Sequence, residues 1–119
     1  MAGTESRATR LNFGDFGLKS ESCGWVTATQ IEAARKAIVH HTKREGKLWM
    51  RIFPDKSFTK KPAGTRMGSG KGEVVGYVAV VKPGRIIFEL GGLAPAAARL
   101  ALLRASAKLA IRTRIISRG

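Results

Sequence analysis

Two long stretches of this chain carry several cations and no acid, which restricts where they can lie in a fold. Residues 56–72 contain five lysines and arginines, and residues 90–119 contain six. The whole chain of 119 residues has 22 cations and 8 acids, a formal net charge of +14. A surface that serves solubility alone mixes the two signs, and repulsion at this charge opposes compaction. The pattern therefore predicts a polyanionic partner, either nucleic acid or an anionic membrane surface.

The sequence carries no predicted membrane anchor. No apolar run approaches the roughly 20 residues that span a bilayer, and the opening MAGTESRATRLNF lacks the apolar core of a secretory signal. Arg7 and Arg10 in that opening are weakly typical of a transit peptide, whereas Glu5 argues against one. The single cysteine, Cys23, excludes an internal disulfide and favours a reducing compartment. Nucleic acid is therefore the favoured polyanion.

Hydrophobic periodicity predicts a first helix that ends near Gly46, which is placed at its C′ position. Its start carries a capping box, formed either by Thr27 with Gln30 or by Thr29 with Glu32. One face is apolar at helical spacing and is predicted to lie on the core: Ile31, Ala34, Ile38 and either His41 or Thr42. Cations lie largely off that stripe and predict a basic outer face: Arg35, Lys36, Lys43 and Arg44.

A second helix is predicted in the C-terminal third, with Pro95 in its first turn. Its predicted core stripe consists of Leu100, Leu103 and Ala107. Arg104 and Lys108 are four residues apart and share a face.

Two segments in the first half of the chain predict strands. Residues 12–20 are typical of a short strand or an extended arm, and residues 47–53 alternate in the manner of a strand with two different faces. The aliphatic face is Leu48, Met50 and Ile52. The other face is aromatic and basic: Trp49, Arg51 and Phe53.

Three further segments in the second half predict strands. Residues 74–82 are β-branched almost throughout, which predicts a well-buried strand, and Pro83-Gly84 predicts a turn that leads into a hairpin partner at 85–92. Residues 111–117 predict a final strand with Arg112 and Arg114 on one side. The fold class is α+β, with two helices packed on a mostly antiparallel sheet. The chain is predicted to be one domain, 1–119, with a flexible arm at 1–11 and an extended loop at 60–73.

The loop segment TRMGSGKGE, residues 65–73, contains no side chain that could build a core. A phosphate-binding P-loop requires G-x-x-x-x-G-K-[ST] between a strand and a helix. Gly70-Lys71 supplies the GK pair, but position 65 is threonine, Lys71 is followed by Gly72, and a predicted strand comes next. The G-x-G-x-x-G pattern of dinucleotide sites also fails here. The segment is therefore not a nucleotide-binding loop.

No other group of residues predicts an enzyme. His40 and His41 are adjacent on a helix, so their side chains point about 100° apart and do not share a metal ion. Nothing in the sequence orients a histidine towards Cys23. The acids are scattered singly and predict no acid–base pair: Asp15, Asp55, Glu73 and Glu89. No catalytic residue, metal or cofactor is predicted.

The glycine-rich loop instead suits close contact with structured RNA, because its main chain can approach a nucleic-acid backbone while Arg66 and Lys71 neutralise phosphates. Aromatic residues interleave with cations nearby and could stack on unpaired bases: Trp49, Phe53 and Phe58, with Arg51, Lys56 and Lys60. For Trp49 and Phe53 the favoured interpretation is burial in the core, because aromatic side chains bury large areas. Contact with RNA is the alternative for both.

Four segments carry a resemblance to a known family: WVTATQIEAARKAI, GKLWMRIFPDK, KKPAGTRMGSGKGE and VAVVKPGRIIFELGG. Together they resemble large-subunit ribosomal protein sixteen of the bacterial and organellar type. The resemblance runs from about Phe13 to Ile116, and the Arg-Met-Gly-x-Gly-Lys-Gly signature at 66–72 is its most specific part. It implies the α/β-hammerhead fold of that family.

The resemblance also implies a function. Members are structural constituents of the large ribosomal subunit that bind its RNA, contribute to late assembly and lie beneath the central protuberance. The signature loop, Arg66 to Gly72 here, reaches toward the peptidyl-transferase region and helps shape the site of aminoacyl-tRNA. In some bacterial members the arginine that corresponds to Arg66 is hydroxylated. The implied partners are large-subunit ribosomal RNA, aminoacyl-site tRNA and neighbouring ribosomal proteins, with no homo-oligomer.

The predicted RNA contacts combine the signature loop with cations from both helices and several strands. They are Arg7, Arg10, Lys19, Arg35, Lys43, Arg44, Arg51, Lys56, Lys60, Lys61, Arg66, Met67, Gly68, Ser69, Gly70, Lys71, Gly72, Arg85, Arg112 and Arg114.

This sequence departs from the family pattern in two places. Little of the very basic arm that usually precedes the FGxFGL-like stretch is found here, and Gly76 and Tyr77 stand where a Tyr-Trp pair is typical. The changed pair beside an intact loop favours an organellar lineage, as do the stretches GWVTATQIEA and IRTRIISRG, with a mitochondrion as first choice and a plastid or bacterial cytoplasm as alternatives. Two rival functions are an RNA-binding assembly chaperone outside the ribosome and a cationic protein that acts on membranes.

Overall fold

The computed structural model describes residues 9–59 and 74–118, which form two helices and two antiparallel sheets. Along the chain, the elements are β1 (Phe16–Ser20), β2 (Gly24–Thr27), α1 (Ala28–Thr42), β3 (Lys47–Met50), β4 (Lys56–Thr59), β5 (Val74–Val81), β6 (Ile86–Gly91), α2 (Pro95–Ser106) and β7 (Thr113–Ser117). The predicted α+β class is confirmed. The signature loop and the rest of residues 60–73 lie outside the described residues.

The strands divide between a four-stranded sheet, in the order β3-β6-β1-β7, and a three-stranded sheet, in the order β2-β5-β4. The prediction that β5 and β6 form a hairpin is therefore wrong, since β6 pairs with β1 and β3 instead. The turn between them does form, with Gly84 at a φ of 89°. Pro83 followed by a positive-φ glycine is the arrangement of a type II turn, which splays its flanking strands.

Ser20 in β1 stabilises this turn through hydrogen bonds. The Ser20 hydroxyl donates to the Lys82 carbonyl at 2.6 Å and accepts from the Arg85 amide at 3.0 Å. The Gly84 amide donates to the Ser20 carbonyl at 2.8 Å. These bonds direct the chain after the turn onto β1, and so into the other sheet.

Helix α1 forms as predicted at its start and along its core face. The Thr27 side chain accepts from the Gln30 amide at 3.1 Å, and the Gln30 side chain accepts from the Thr27 amide at 3.0 Å. Of the two capping boxes considered, this is the one that forms. The buried residues are Ile31, Ala34, Ile38 and Thr42.

The predicted end of α1 at Gly46 is wrong. The helix stops at Lys43, which caps it in the left-handed conformation at a φ of 53° and donates its amide to the Val39 carbonyl. Gly46 is needed for a different reason, because a Cβ there would lie 2.5 Å from the Gly91 carbonyl oxygen. The glycine lets the chain pass close to the end of β6 as it enters β3.

Helix α2 begins with Pro95 in its first turn, as predicted, but the predicted core face is wrong. Leu100, Leu103 and Ala107 are exposed. The buried residues are Ala98, Ala101, Leu102 and Ala105. Three alanines on this face allow α2 to approach α1 and β1 closely, and a single leucine fills the remaining space.

The core lies between the helices and the sheets, and its largest fully buried side chains include Phe88, Leu18, Ile38 and Leu102. All six residues of β6 are buried, since it is an inner strand of the larger sheet. The prediction of burial along β5 is only partly correct. Val78, Ala79 and Val81 are buried, whereas Tyr77 and Val80 are each about half exposed. Tyr77 and Val80 lie on opposite faces of the strand, so both faces of the smaller sheet are partly open to solvent.

Candidate nucleic-acid interface

The outer face of α1 forms a cationic groove. Its lining residues are Arg35, Lys36, Val39, His40, Lys43 and Arg44. They lie on the side of α1 away from the core stripe, where helical periodicity brings residues three and four apart together. Three predicted RNA contacts, Arg35, Lys43 and Arg44, thus share one surface. Sequence reasoning omitted Lys36 and His40 as contacts, although helical spacing places both on this face.

At one end, this groove reaches the C-terminus of α1, where Lys43 and Arg44 lie. Lys43 and Arg44 are both exposed and both have positive φ angles, 53° and 66°. A helix C-terminus carries partial negative charge, which favours cations in this position. The left-handed turn therefore places two exposed positive charges at one end of the groove.

One acid partly offsets the charge of this groove. The Arg35 guanidinium donates to Glu32 at 2.6 Å and 3.0 Å. This hydrogen bond and the opposite charge lower the pKa of Glu32, and they raise the pKa of Arg35. Both side chains are substantially exposed, so the pair contributes little to stability.

A second groove continues the cationic surface from α1 onto α2. It is lined by Ala33, Ala37, His40, His41, Arg104, Ala107 and Lys108. His40 lines both grooves, so the two are contiguous. Among residues 9–59 and 74–118, no three His, Cys, Asp or Glu side chains lie together as metal ligands. Neither helix in these ranges has the length and the apolar character of a membrane-spanning segment.

A further cationic cluster lies on the β1–β7 ladder. Lys19 is directly opposite Arg114, which places two positive charges side by side on one face of the sheet. Directly opposed like charges destabilise a sheet unless something compensates them. Glu21 approaches Arg114 at 3.9 Å, and Arg112 is exposed nearby on the same strand end. An anion shared between Lys19 and Arg114 would relieve the repulsion.

Two predicted RNA contacts, Arg51 and Arg85, have partners inside the protein. The Arg51 guanidinium pairs with Glu89, and its side chain is 12% exposed. Arg85 donates from Nη2 to the Arg51 carbonyl at 2.9 Å. These contacts join β6, the segment after β3 and the residues before β1.

Glu89 is a structural residue of the core whose role sequence reasoning did not predict. It is fully buried, and its carboxylate accepts from the amides of Phe13 at 2.8 Å and Gly14 at 2.7 Å. The Asn12 amide also donates to it, at 3.1 Å and 3.2 Å. The available signal was a lone acid inside the apolar strand RIIFELGG, because buried charges are paired or hydrogen-bonded.

Burial raises the pKa of Glu89, but the bonds from Gly14, Phe13, Asn12 and Arg51 outweigh it, so the net pKa is lowered. A carboxyl with a lower pKa in the folded than in the unfolded chain stabilises the fold above its unfolded pKa. That contribution is lost as pH falls through the folded pKa.

We therefore expect the stability difference between wild type and Glu89→Gln to shrink on acidification. Denaturant unfolding of both proteins at about pH 6 and about pH 3 measures it, and contributions from the other acids cancel in the difference. A difference that stays constant across this range would show that ionised Glu89 does not hold the fold.

The predicted stacking aromatics occupy two separate places. Trp49 is half-buried and stacks on Phe13, with ring centroids 5.8 Å apart and an interplanar angle of 17°. Phe53 is 64% exposed, so the core interpretation is wrong for that residue. Phe58 lies beside Trp25, with centroids 5.8 Å apart. Sequence reasoning did not select Trp25, which is 49% exposed.

Trp25 and Phe58 share the outer face of the smaller sheet with a lysine. In the ladder registers, Trp25 opposes Val80, Phe58 opposes Gly76 and Lys56 opposes Val78. Alternate residues of β5 share a face, so all of these side chains are on one side. Aromatic rings beside an exposed cation are a chemistry suited to unpaired bases.

The other predicted contacts fall into three groups. Arg10 is exposed, as are Lys43, Arg44, Lys56, Arg112 and Arg114. Lys19 and Arg35 are intermediate in exposure. Arg7, Lys60, Lys61 and the signature residues 66–72 lie outside the described residues.

One known protein family matches almost the whole chain. The family model described as Ribosomal protein L16p/L10e matches residues 1–116 of the chain. The match covers both helices, every strand but the last residue of β7, and the signature segment. Proteins of this family are structural, non-enzymatic components of the large ribosomal subunit that bind ribosomal RNA and neighbouring ribosomal proteins. The chain belongs to the ribosomal protein L16p/L10e family.

Proposed function

We propose that this chain binds large-subunit ribosomal RNA through the α1 groove, its extension onto α2, the β1–β7 cluster and the loop at 66–72. In this position it helps shape the aminoacyl-tRNA site near the peptidyl-transferase region and takes part in late subunit assembly. The observation that carries the proposal is the α1 groove, where Arg35 and the exposed Lys36, Lys43 and Arg44 lie together on one side of the helix. Cationic surfaces that neutralise a phosphate backbone are typical of RNA recognition by shape.

The rest of the charge distribution supports the same proposal. Glu32 and Glu21 are each within 4.0 Å of a single arginine, and the exposed Glu45 directly follows Arg44. The surfaces therefore keep a large positive excess that ribosomal RNA would neutralise. The Trp25–Phe58 face adds a place where an unpaired base could stack beside Lys56.

The direct test is sedimentation of a tagged chain expressed in cells. A constituent of the subunit is expected to remain with the large particle after a moderate salt wash. An assembly chaperone would appear only with immature particles, and a membrane-active protein would pellet with lipid. Either result would replace the proposed function.

Replacing Lys43 and Arg44 together with alanine is expected to weaken binding to large-subunit RNA and leave the fold intact. The binding constant falls as salt rises, and each lost phosphate contact makes the slope of log K against log salt shallower by about 0.9. The slope for the double variant should therefore be shallower by about 2. Filter binding at several salt concentrations measures this. The matched control is Lys82→Ala, an exposed lysine that lines neither groove. A double variant that binds like the control would remove the α1 groove from the interface.

The loop at 66–72 is proposed to meet RNA and not a nucleotide. Gly70→Val would restrict the backbone and obstruct close approach, so it should impair late assembly or aminoacyl-tRNA accommodation, with Arg66→Ala milder. Sucrose gradients and poly-phenylalanine synthesis with variant ribosomes measure the two effects. Calorimetry should show no binding of ATP or GTP. Micromolar nucleotide affinity that Lys71→Ala abolishes would contradict the proposal.

For the compartment, we propose a mitochondrial ribosome, with a plastid or bacterial ribosome as the alternatives. The support is the change at Gly76 and Tyr77 next to an intact signature. Imaging of a fluorescent fusion in the source cell, with mitochondrial and plastid markers, distinguishes the three.

A further inference from the structure

The outer face of α2 carries an apolar stripe. Ala96, Leu100, Leu103 and Ala107 recur at i, i+4, i+7 and i+11, and all four are exposed. Leu100 is 45% exposed and Leu103 is 57% exposed. At 100° per residue, this stripe lies directly opposite the buried face of α2. The helix is therefore apolar on two opposite sides, of which the fold covers only one.

The solvent-facing side of helix α1, in contrast, is polar. The residues of α1 that are most exposed include Glu32, Lys36 and His40. The equivalent positions of α2 are leucine and alanine instead. Single exposed leucines are ordinary on a protein surface, but a continuous stripe along a helix marks a contact surface.

Cations flank the stripe on both sides. Helical geometry places Arg99 on one side and Arg104 on the other, and both are exposed. Arg104 and Ala107 also line the second groove, so the stripe borders the proposed RNA surface along that edge. The Arg99 guanidinium lies 5.6 Å from the centroid of the Phe16 ring, which fixes it beside the helix. No aspartate or glutamate occurs anywhere from residue 90 to the end of the sequence. A partner that complements this stripe is therefore apolar in the centre and acidic at the edges.

We infer that this stripe docks an apolar segment, flanked by acidic residues, of a neighbouring protein in the large ribosomal subunit. The inference rests on the proposed placement of the chain in that subunit and assigns one of its protein contacts. A second copy of the chain fits poorly, because each copy carries a net charge of +14 and would oppose Arg99 and Arg104 to identical arginines. Ribosomal RNA would pair with the arginines but would leave both leucines against a polar backbone.

The test is site-specific photo-crosslinking in the assembled particle. A diazirine-bearing amino acid replaces Leu103 in the full chain, large subunits are purified and irradiated, and the products are identified by mass spectrometry. The same amino acid at Lys43, in the α1 groove, is the matched control and should crosslink to RNA. From Leu103, we expect one protein segment that contains aliphatic or aromatic residues together with Asp or Glu.

A second variant ties the crosslink to the stripe. Leu100→Ser with Leu103→Ser should leave the melting temperature of the free chain unchanged, because both side chains are exposed, and should reduce retention of the crosslinked protein in salt-washed particles by fivefold or more. Crosslinks from Leu103 to RNA alone, to a second copy, or to nothing would overturn the inference while the chain remains in the particle. A chain that never enters the particle would overturn the proposed function itself, and with it this docking partner.

Discussion

Glu89→Gln is expected to lower the free energy of unfolding by about 3–5 kcal/mol, because it leaves Arg51 without its buried counter-ion. The carboxylate also accepts the amides of Asn12, Phe13 and Gly14, and a neutral amide cannot replace all of these charge-assisted bonds. Residues 12–14 would therefore detach more easily from the four-stranded sheet. Urea unfolding at neutral pH, followed by tryptophan fluorescence, measures the loss, and Trp49 stacked on Phe13 reports on this region.

The matched control is Glu32→Gln, which removes the same charge from an exposed pair with Arg35. Because solvent screens that pair, we expect little change in stability. Equal losses in the two variants would mean that the cost comes from net charge and not from the buried contacts of Glu89. A Glu89 variant as stable as wild type would remove this residue as the anchor of residues 12–14.

Leu102→Ala is expected to destabilise the fold by about 2–5 kcal/mol. Leu102 is fully buried on an α2 face that is otherwise alanine, so no neighbouring large side chain on that face can fill the cavity. Leu103→Ala, one residue further along, removes the same atoms from a side chain that is 57% exposed and should change stability little. Chemical denaturation of the two variants in parallel measures the difference.

Comparison of these two variants also identifies the core face of α2. A greater loss from Leu103→Ala than from Leu102→Ala would restore the face predicted by periodicity and would remove the exposed stripe. Circular dichroism of each variant checks that helicity is retained, so that a difference in stability reflects packing.

Local signals predicted the parts of this fold whose bonds are made within a few residues. One of the two capping boxes considered, Thr27–Gln30, and the i, i+3, i+7 core stripe placed the start and the core face of α1 correctly, because both the cap bonds and the periodicity lie within the helix. Pro83-Gly84 likewise predicted its turn. The basic face of α1 followed from the same periodicity, and the groove that it lines was recognisable in outline from the positions of Arg35, Lys43 and Arg44.

The wrong predictions for the core face of α2 and the pairing of β6 concern alternatives that the local sequence does not distinguish. Both sides of α2 are apolar at helical spacing, so periodicity could not select between Leu102 and Leu103. The selection depends on which side fits closely against α1 and β1, and small alanines fit better there than two leucines. The pairing of β6 depends in the same way on Ser20, which lies more than sixty positions before the turn that it holds.

The sequence by itself therefore determined the class of the fold, the core face of the first helix, the positive surface and the family. Each of these follows from composition, from short-range bonds or from a contiguous motif. Only the tertiary structure decided the division into two sheets, the outward-facing leucines of α2 and the role of Glu89. The physical reason is distance along the chain: the amides that hold the Glu89 carboxylate belong to residues 12–14, and no pattern around position 89 can identify donors so far away.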